Sequence, residues 1–309
     1  MIKILFKNFI QIIRVNDWFK QIFVIPGIIL ALMIDKNSNF ETSDFIIYLM
    51  SINFTASANY LINEYLDKQY DKFHPLKEKN SLKNKIKFRG VVCIYLILVL
   101  IAFIYPIINE KKSFILFQTL FLISGIFYNV EPFRFKDKKY IDTLFESLNN
   151  PLRLFLGFSI ISEQYLNIPT SVILSYFFLG AFLMNSKRLS EYNFLQNKIE
   201  IRKYRKSLAE YDQPGELEAI NLLYSLITIF FVTIFMIKYK ISLLPFVFLL
   251  MYLMAYYFKK SLITKSFVHR PEFIYQDTKF ILLIILSSIF FSLSFYLNFD
   301  LLNWLLIKK

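Results

Sequence analysis

Apolar residues in this chain gather into nine runs, at about residues 19–35, 44–64, 91–109, 113–130, 141–162, 168–186, 219–237, 241–258 and 279–298. Each is near the length, about 20 residues, that a helix needs to cross roughly 30 Å of hydrocarbon. The pattern predicts an all-α, polytopic membrane protein with nine transmembrane helices. The polar positions between the runs test that count, because a missed or extra span would scramble their alternation between the two sides. Of 36 Lys and Arg, 28 fall on the side that holds the N-terminus, seven fall on the other, and Arg153 lies within a run. By the positive-inside rule the N-terminus is then cytoplasmic and the C-terminus external. The external turns are short, whereas the inner segments after runs two, six and eight are long, so function is expected to face the cytoplasm.

Composition strengthens this reading. The chain of 309 residues is 56% hydrophobic and holds 36 Phe and 20 Tyr, with a mean hydropathy of +0.46, outside the range of a soluble domain. The net charge of +13 reflects topology and anionic lipid in a polytopic chain, so nucleic acid is not expected as a partner. Cys93 stands alone, which excludes a disulfide within the chain. His74 and His269 lie on different loops, which argues against zinc. Arg14, Asp17 and Lys20 interrupt the first apolar run, unlike a cleaved signal peptide, and residues 2–16 read as a helix lying in the interface beside Trp18. With no linker and no repeat, one membrane domain is expected over residues 1–309, capped by segments at about 65–90, 186–218 and 259–278. The bias toward Lys, Asn, Ile and Phe points to an AT-rich prokaryote and its cytoplasmic (inner) membrane.

At the end of the second run, NEYLDKQYD spaces Asn63, Asp67 and Asp71 four residues apart, on one helical face and about a turn from one another. Oxygen ligands of this kind suit Mg2+, which is usually held by one or two carboxylates together with substrate phosphates. Lys72, His74, Lys77 and Lys79 follow, so the segment predicts a metal-bound diphosphate neutralised by ammonium groups. The competing reading is a solvated helix end whose acids offset nearby lysines. After run six comes SKRLSE. If the helix continues there, Lys187 and Glu191 share a face with Arg188 beside them, and two cations and a carboxylate can point into one cavity. Arg205, Lys206 and Tyr211 follow on what reads as an amphipathic surface helix. Inside run five, in NNPLRLFLG, Arg153 is costly unless it faces a polar cavity; it either binds phosphate or pairs with an acid such as Glu146. Pro151 loosens the helix next to it. Lys20, Tyr128, Lys138, Asp142, Glu272 and Asp277 are weaker signals.

These residues, in this order, resemble the UbiA-type superfamily of intramembrane prenyltransferases, a nine-helix bundle. Its first motif, Asn-Asp-x-x-Asp-x-x-x-Asp, reads here as Asn63, Glu64, Asp67 and Asp71. Most members carry a second acidic motif after helix six; this chain has SKRLSE instead. That segment is similar to the Lys-Arg-x-x-Glu of the decaprenyl-phosphate phosphoribosyltransferase branch, as are IRVNDWFKQ, YLINEYLDKQYDKFHP, RKSLAEY and PEFIYQD elsewhere. Two departures stand out: Glu64 replaces Asp, and Lys77, Glu78, Lys79, Asn80 and Ser81 replace a Lys-Arg-x-Arg-Pro pattern. The resemblance implies Mg2+-dependent transfer of 5-phosphoribose from phosphoribosyl pyrophosphate to a polyprenyl phosphate. It makes Asn63, Asp67 and Asp71 the metal ligands. It makes Asp67, Asp71 and Glu191 catalytic, and Asn63, Lys20, Lys77, Tyr128, Arg153, Lys187 and Arg188 substrate-binding. The alternatives are a prenyltransferase acting on an aromatic quinone or haem precursor and, outside enzymes, a transporter or lipid-binding membrane protein.

Overall fold

The computed structural model describes residues 13–35, 42–71, 73, 87–195, 198–264 and 266–296. All regular structure among them is helical. A 3-10 helix, Val15–Val24, runs into α1 (Ile25–Ile34), followed by α2 (Thr42–Leu66), the single turn α3 (Lys68–Asp71), α4 (Phe88–Ile108), α5 (Lys112–Asn129), α6 (Ile141–Ser147) and α7 (Asn149–Ile161). Then come α8 (Thr170–Leu195), α9 (Lys198–Tyr204), α10 (Lys206–Ala209), α11 (Glu216–Tyr239), α12 (Phe246–Ser261) and α13 (Thr278–Tyr296). Every one of the nine apolar runs contains a helix. Five helical stretches among the described residues are long and apolar enough to cross a membrane: Val15–Ile34, Asp44–Leu66, Phe88–Ile108, Glu216–Tyr239 and Ile241–Ser261. The expected interfacial helix falls almost wholly on residues 1–12, outside the described residues.

The chain divides into two compact units. Met1–Ile168 and Asn197–Glu210 form one; Pro169–Gln196 and Tyr211–Lys309 form the other. In the first, α4 shows how a span is built. It buries Val91, Leu98 and Ala102 and exposes Leu96, Ile97, Leu100, Ile101 and Ile104, apolar on every side as a lipid-facing helix must be. Its polar partners are internal: Gln118 Nε2 on α5 donates to Ser51 Oγ and Thr55 Oγ1 on α2, each at 2.8 Å, and to the Ala102 carbonyl of α4 at 3.1 Å. Three helices are tied by one amide where no water is at hand.

Helices α1 and α7 cross through glycine. A Cβ on Gly27 would stand 2.1 Å from the Leu154 carbonyl oxygen, and one on Gly157 would stand 2.0 Å from that of Val24. The fifth apolar run is broken at Leu148, between α6 and α7, and Pro151 sits in the first turn of α7, where its missing N–H costs nothing. The break leaves Asn150 and Arg153 buried on α7.

In the second unit α8 packs along α11. Asn185 Nδ2 donates to the Leu217 carbonyl at 2.8 Å, and Asn221 Nδ2 donates to Ser186 Oγ at 2.9 Å. Helix α8 continues to Leu195, so the polar segment expected from residue 186 begins as the end of a helix.

Candidate functional site

The Asn63, Asp67, Asp71 stripe keeps its first interval and changes at the second. Helix α2 ends at Leu66, and Asp67 occupies a turn before α3. The Asp67 N–H still donates to the Asn63 carbonyl at 2.9 Å, so the two side chains stay one turn apart. Lys136, from the segment between α5 and α6, lies against both. Its Nζ donates to Asp67 Oδ1 in a short contact, to Asn129 Oδ1 at 2.9 Å and to Asn63 Oδ1 at 3.4 Å. Arg134 Nη2 reaches the same Asp67 oxygen at 3.1 Å. Asp137 holds the Arg134 Nε at 2.9 Å, and the Asn129 carbonyl accepts from Nη1 at 3.0 Å. Arg134 adopts φ 31, in the left-handed region that a non-glycine residue enters only when its surroundings hold it there. Burial pushes the Lys136 ammonium down to about 8; Asp67 opposes that shift, while Arg134 and Arg205 add to it.

A second cluster adjoins through Tyr128, near the end of α5. Its phenol lies 2.7 Å from Asp142 Oδ1 and 2.8 Å from Glu146 Oε2, so two carboxylates share one hydroxyl proton. Arg205 Nη1 contacts Asp142 Oδ1 at 2.8 Å and Oδ2 at 2.9 Å and donates to the Tyr128 oxygen at 3.2 Å. Ser207 Oγ adds a bond to Asp142 at 3.2 Å. The segment 198–210 keeps an exposed face that carries Arg202, Lys203 and Lys206, as an amphipathic surface helix does, and Arg205 fastens it to α5 and α6 through Tyr128 and the buried Asp142.

A third cluster surrounds Tyr60, three residues before Asn63. Arg14 and Lys20 each lie 5.2 Å from the centroid of its ring. Arg14 pairs with Glu64 at 2.9 Å and with Asp17 at 2.5 Å, and Lys20 pairs with Asp17 at 2.6 Å. Arg153 is buried here. Its Nε donates to Gln21 Oε1 at 3.0 Å and its Nη1 to Asn150 Oδ1 at 3.5 Å, and Tyr60 lies beside it. Among the described residues Arg153 makes no ion pair, with Glu146 or any other acid.

In the second unit, Arg188 and Glu191 on α8 are each about 2% exposed and pair with one another, Nη1 to Oε2, at 3.1 Å. The sequence placed Lys187 and Glu191 on a shared face; the structure joins Glu191 to Arg188. His269 packs on Phe194 at 5.1 Å between ring centroids. Burial lowers its imidazole below the ordinary range; Glu191 opposes this, while Lys187 and Arg270 reinforce it.

A family model, the UbiA prenyltransferase family, matches residues 23–275. The chain belongs to that family. No curated protein matches it in sequence. Among solved structures, a UbiA homologue from Archaeoglobus fulgidus bound to GPP and Mg2+ superposes with a TM-score of 0.68 at 18% identity, over 94% of this chain and 98% of that one. The same homologue bound to DMAPP and Mg2+ gives 0.68 at 20% identity and the same coverage. A structure of digeranylgeranylglyceryl phosphate synthase gives 0.63 at 15%, over 94% and 99%. At these identities the likeness shows the UbiA fold.

Within this UbiA chain, the structure thus gathers Asn63 and Asp67 at one cluster, Tyr128 at a second and Lys20 and Arg153 at a third, while Lys187, Arg188 and Glu191 belong to the other unit. The Asp71 side chain and all of Lys77 lie outside the described residues. Sequence reasoning missed Asn129, Arg134, Lys136 and Gln21 as site residues, and gave Arg205 to a surface helix without its partner Asp142. A signal was present: FRFK follows Tyr128 closely, on the same predicted side as the Asn63 stripe.

Proposed function

We propose that this protein transfers 5-phosphoribose from phosphoribosyl pyrophosphate to a polyprenyl phosphate, using Mg2+, at the cytoplasmic ends of a nine-span bundle in a prokaryotic cytoplasmic membrane. The observation that carries the reading is at SKRLSE. Where the resemblance leads one to expect a second acidic, metal-holding motif, Glu191 is closed on Arg188, and a cationic site suits a donor that bears phosphate at both ends better than a prenyl diphosphate does.

The first motif fits Mg2+. Three side-chain oxygens, from Asn63, Asp67 and Asn129, already surround a cation, the Lys136 ammonium. Among the described residues no three Asp, Glu, His or Cys side chains converge. Few protein carboxylates with substrate phosphates completing the shell is the usual arrangement for this ion. Asn63, Asp67 and, by the motif, Asp71 would hold it. When bound, Mg2+ supplies charge neutralisation on the diphosphate.

In the proposed reaction a phosphate oxygen of the lipid bonds to C1 of the ribose as the bond from C1 to the diphosphate oxygen breaks, and the diphosphate leaves with the electron pair. The nucleophile is already anionic, so no general base is required. Lys136 and Arg134 add positive charge beside Asp67, where the leaving diphosphate gathers negative charge. Lys20, Lys77, Tyr128 and Arg153 are assigned to the substrates. In the second unit Lys187 and Arg188 are assigned to phosphate, with Glu191 holding Arg188 in place.

A second reading, transfer of a prenyl group from its diphosphate to an aromatic acceptor, is favoured by the GPP and DMAPP held in the Archaeoglobus homologue. Membranes carrying the protein, incubated with labelled phosphoribosyl pyrophosphate and polyprenyl phosphate, should give a labelled lipid that EDTA abolishes. Absence of that lipid, with product from a prenyl diphosphate and an aromatic acid instead, would establish the second reading.

A further inference from the structure

Arg153 is a buried cation that makes no ion pair among the described residues. It lies within an apolar helix, about 8% exposed, with its guanidinium 5.3 Å from the centroid of the Phe121 ring. Its hydrogen-bonding partners among the described residues are Gln21 and Asn150, and both are neutral. A buried cation satisfied only by neutral groups is costly and calls for an anion. Glu146 acts on Arg153 only through its field, with no ion pair between them, and accepts from Tyr128; Asp17 and Glu64 are both bound to Arg14, and Asp17 also holds Lys20.

A second observation points to the same place. Gln21, about 2% exposed, gives its Oε1 to Arg153, and its Nε2 has no partner. A buried donor without an acceptor forfeits the hydrogen bond that would offset its desolvation. Lys20 stands next to Gln21 in the chain and packs on the Tyr60 ring. Two cations, an unpartnered amide N–H and the Tyr60 hydroxyl therefore gather on one side of α2.

Their position along α2 sets the scale. Tyr60 precedes Asp67 by seven residues, a rise of about 10 Å in a helix. An anion at Arg153 would lie about that far from a diphosphate at Asp67, the reach of a sugar carrying phosphate at both ends rather than of one diphosphate group.

We propose that Arg153, Gln21, Lys20 and Tyr60 form a phosphate-monoester subsite, separate from the diphosphate subsite at Asn63, Asp67 and Lys136. This rests on the phosphoribosyl transfer proposed above. The monoester could come from the donor or from the polyprenyl phosphate, and both present the same terminal dianion.

Calorimetric titration of the purified protein with Mg2+ and pyrophosphate, phosphoribosyl pyrophosphate, polyprenyl phosphate or the uncharged polyprenol tests the proposal. Gln21→Met and Arg153→Met should leave the Kd of pyrophosphate within about two-fold. They should weaken either phosphoribosyl pyrophosphate, or polyprenyl phosphate relative to polyprenol, by about ten-fold or more, the scale of one charge-assisted hydrogen bond. The ligand that weakens identifies the source of the monoester. If Arg153→Met fails to fold, Gln21→Met and Arg153→Lys carry the test. Equal losses on every ligand, or no loss on any, would overturn the subsite. If the wild-type chain binds polyprenyl phosphate through Arg153 but never binds phosphoribosyl pyrophosphate, the subsite stands and the phosphoribosyl reading falls. If it binds phosphoribosyl pyrophosphate and the variants bind both phosphorylated ligands as tightly, the reading stands and the subsite falls.

Discussion

Asp67 takes hydrogen bonds from two cations through one oxygen, and its replacement separates the roles of charge and shape. Asp67→Asn keeps an oxygen in place and removes the charge that draws Lys136 and Arg134 toward it. Turnover should fall on the order of 100-fold, the loss expected when one charge-organising contact at a reacting group is removed. Circular dichroism should show the helical content retained; full activity in the variant would remove Asp67 from the metal and diphosphate assignment. Asp142 tests a different balance, because its pair with Arg205 is buried. Asp142→Ala removes the charge partner of a buried pair and should cost about 3 kcal/mol, read as a lowered melting temperature in detergent. His269 provides a pH test. Burial lowers its pKa from the ordinary 6.5, so below that value the unfolded chain takes up a proton that the folded chain refuses, and stability falls as the pH drops. Melting curves between pH 7 and pH 5 should show this loss, and His269→Gln should flatten it.

At the scale of helices, the crossing of α1 and α7 depends on the absence of two side chains. Added Cβ atoms at Gly27 and Gly157 would meet backbone carbonyl oxygens rather than movable side chains, so the helices can accommodate them only by separating. In a membrane, where close backbone approach replaces hydrophobic collapse as the source of helix association, that separation is costly. Gly157→Ala and Gly27→Ala should each destabilise the protein by roughly 1–3 kcal/mol, as overpacking does in other cores. They should also reduce activity without touching a polar group, because Val24 and Leu154 adjoin the residues that position Gln21 and Arg153. A variant that melts like the wild type would show that the crossing is looser than its backbone geometry implies.

For the whole molecule, UbiA family membership and the 28-to-7 division of basic residues meet in one topological expectation. Lys138 belongs to the predicted cytoplasmic side, and Lys238, at the end of α11, to the external side. In a Cys93→Ser background, Lys138→Cys should react with an impermeant maleimide only in inverted vesicles, and Lys238→Cys only in right-side-out ones. Labelling of both from one face would renumber the spans between them, and labelling of each from the opposite face would reverse the orientation on which the cytoplasmic placement of the site rests.

Apolar run length fixed where the helices lie, because a chain in hydrocarbon must satisfy its backbone internally and has few alternatives to a helix. The spacing of Asn63 and Asp67 likewise followed from helical period alone, and SKRLSE was visible as a departure from an acidic pattern. The break at Leu148 was half legible: Pro151 marked it, but a proline does not say that Asn150 and Arg153 will both be buried. Only the tertiary structure decided the partners. Lys136 meets Asp67 across 69 residues, Arg205 meets Asp142 across 63, and Arg153 meets Gln21 across 132. Distances of that kind are set by how helices stack, and one basic residue on a loop reads like any other until packing brings an acid to it. The chain's local pattern therefore determined the elements and the chemistry they carry. Side-chain packing, sensitive to features as small as the missing Cβ atoms of Gly27 and Gly157, decided which charges share a site.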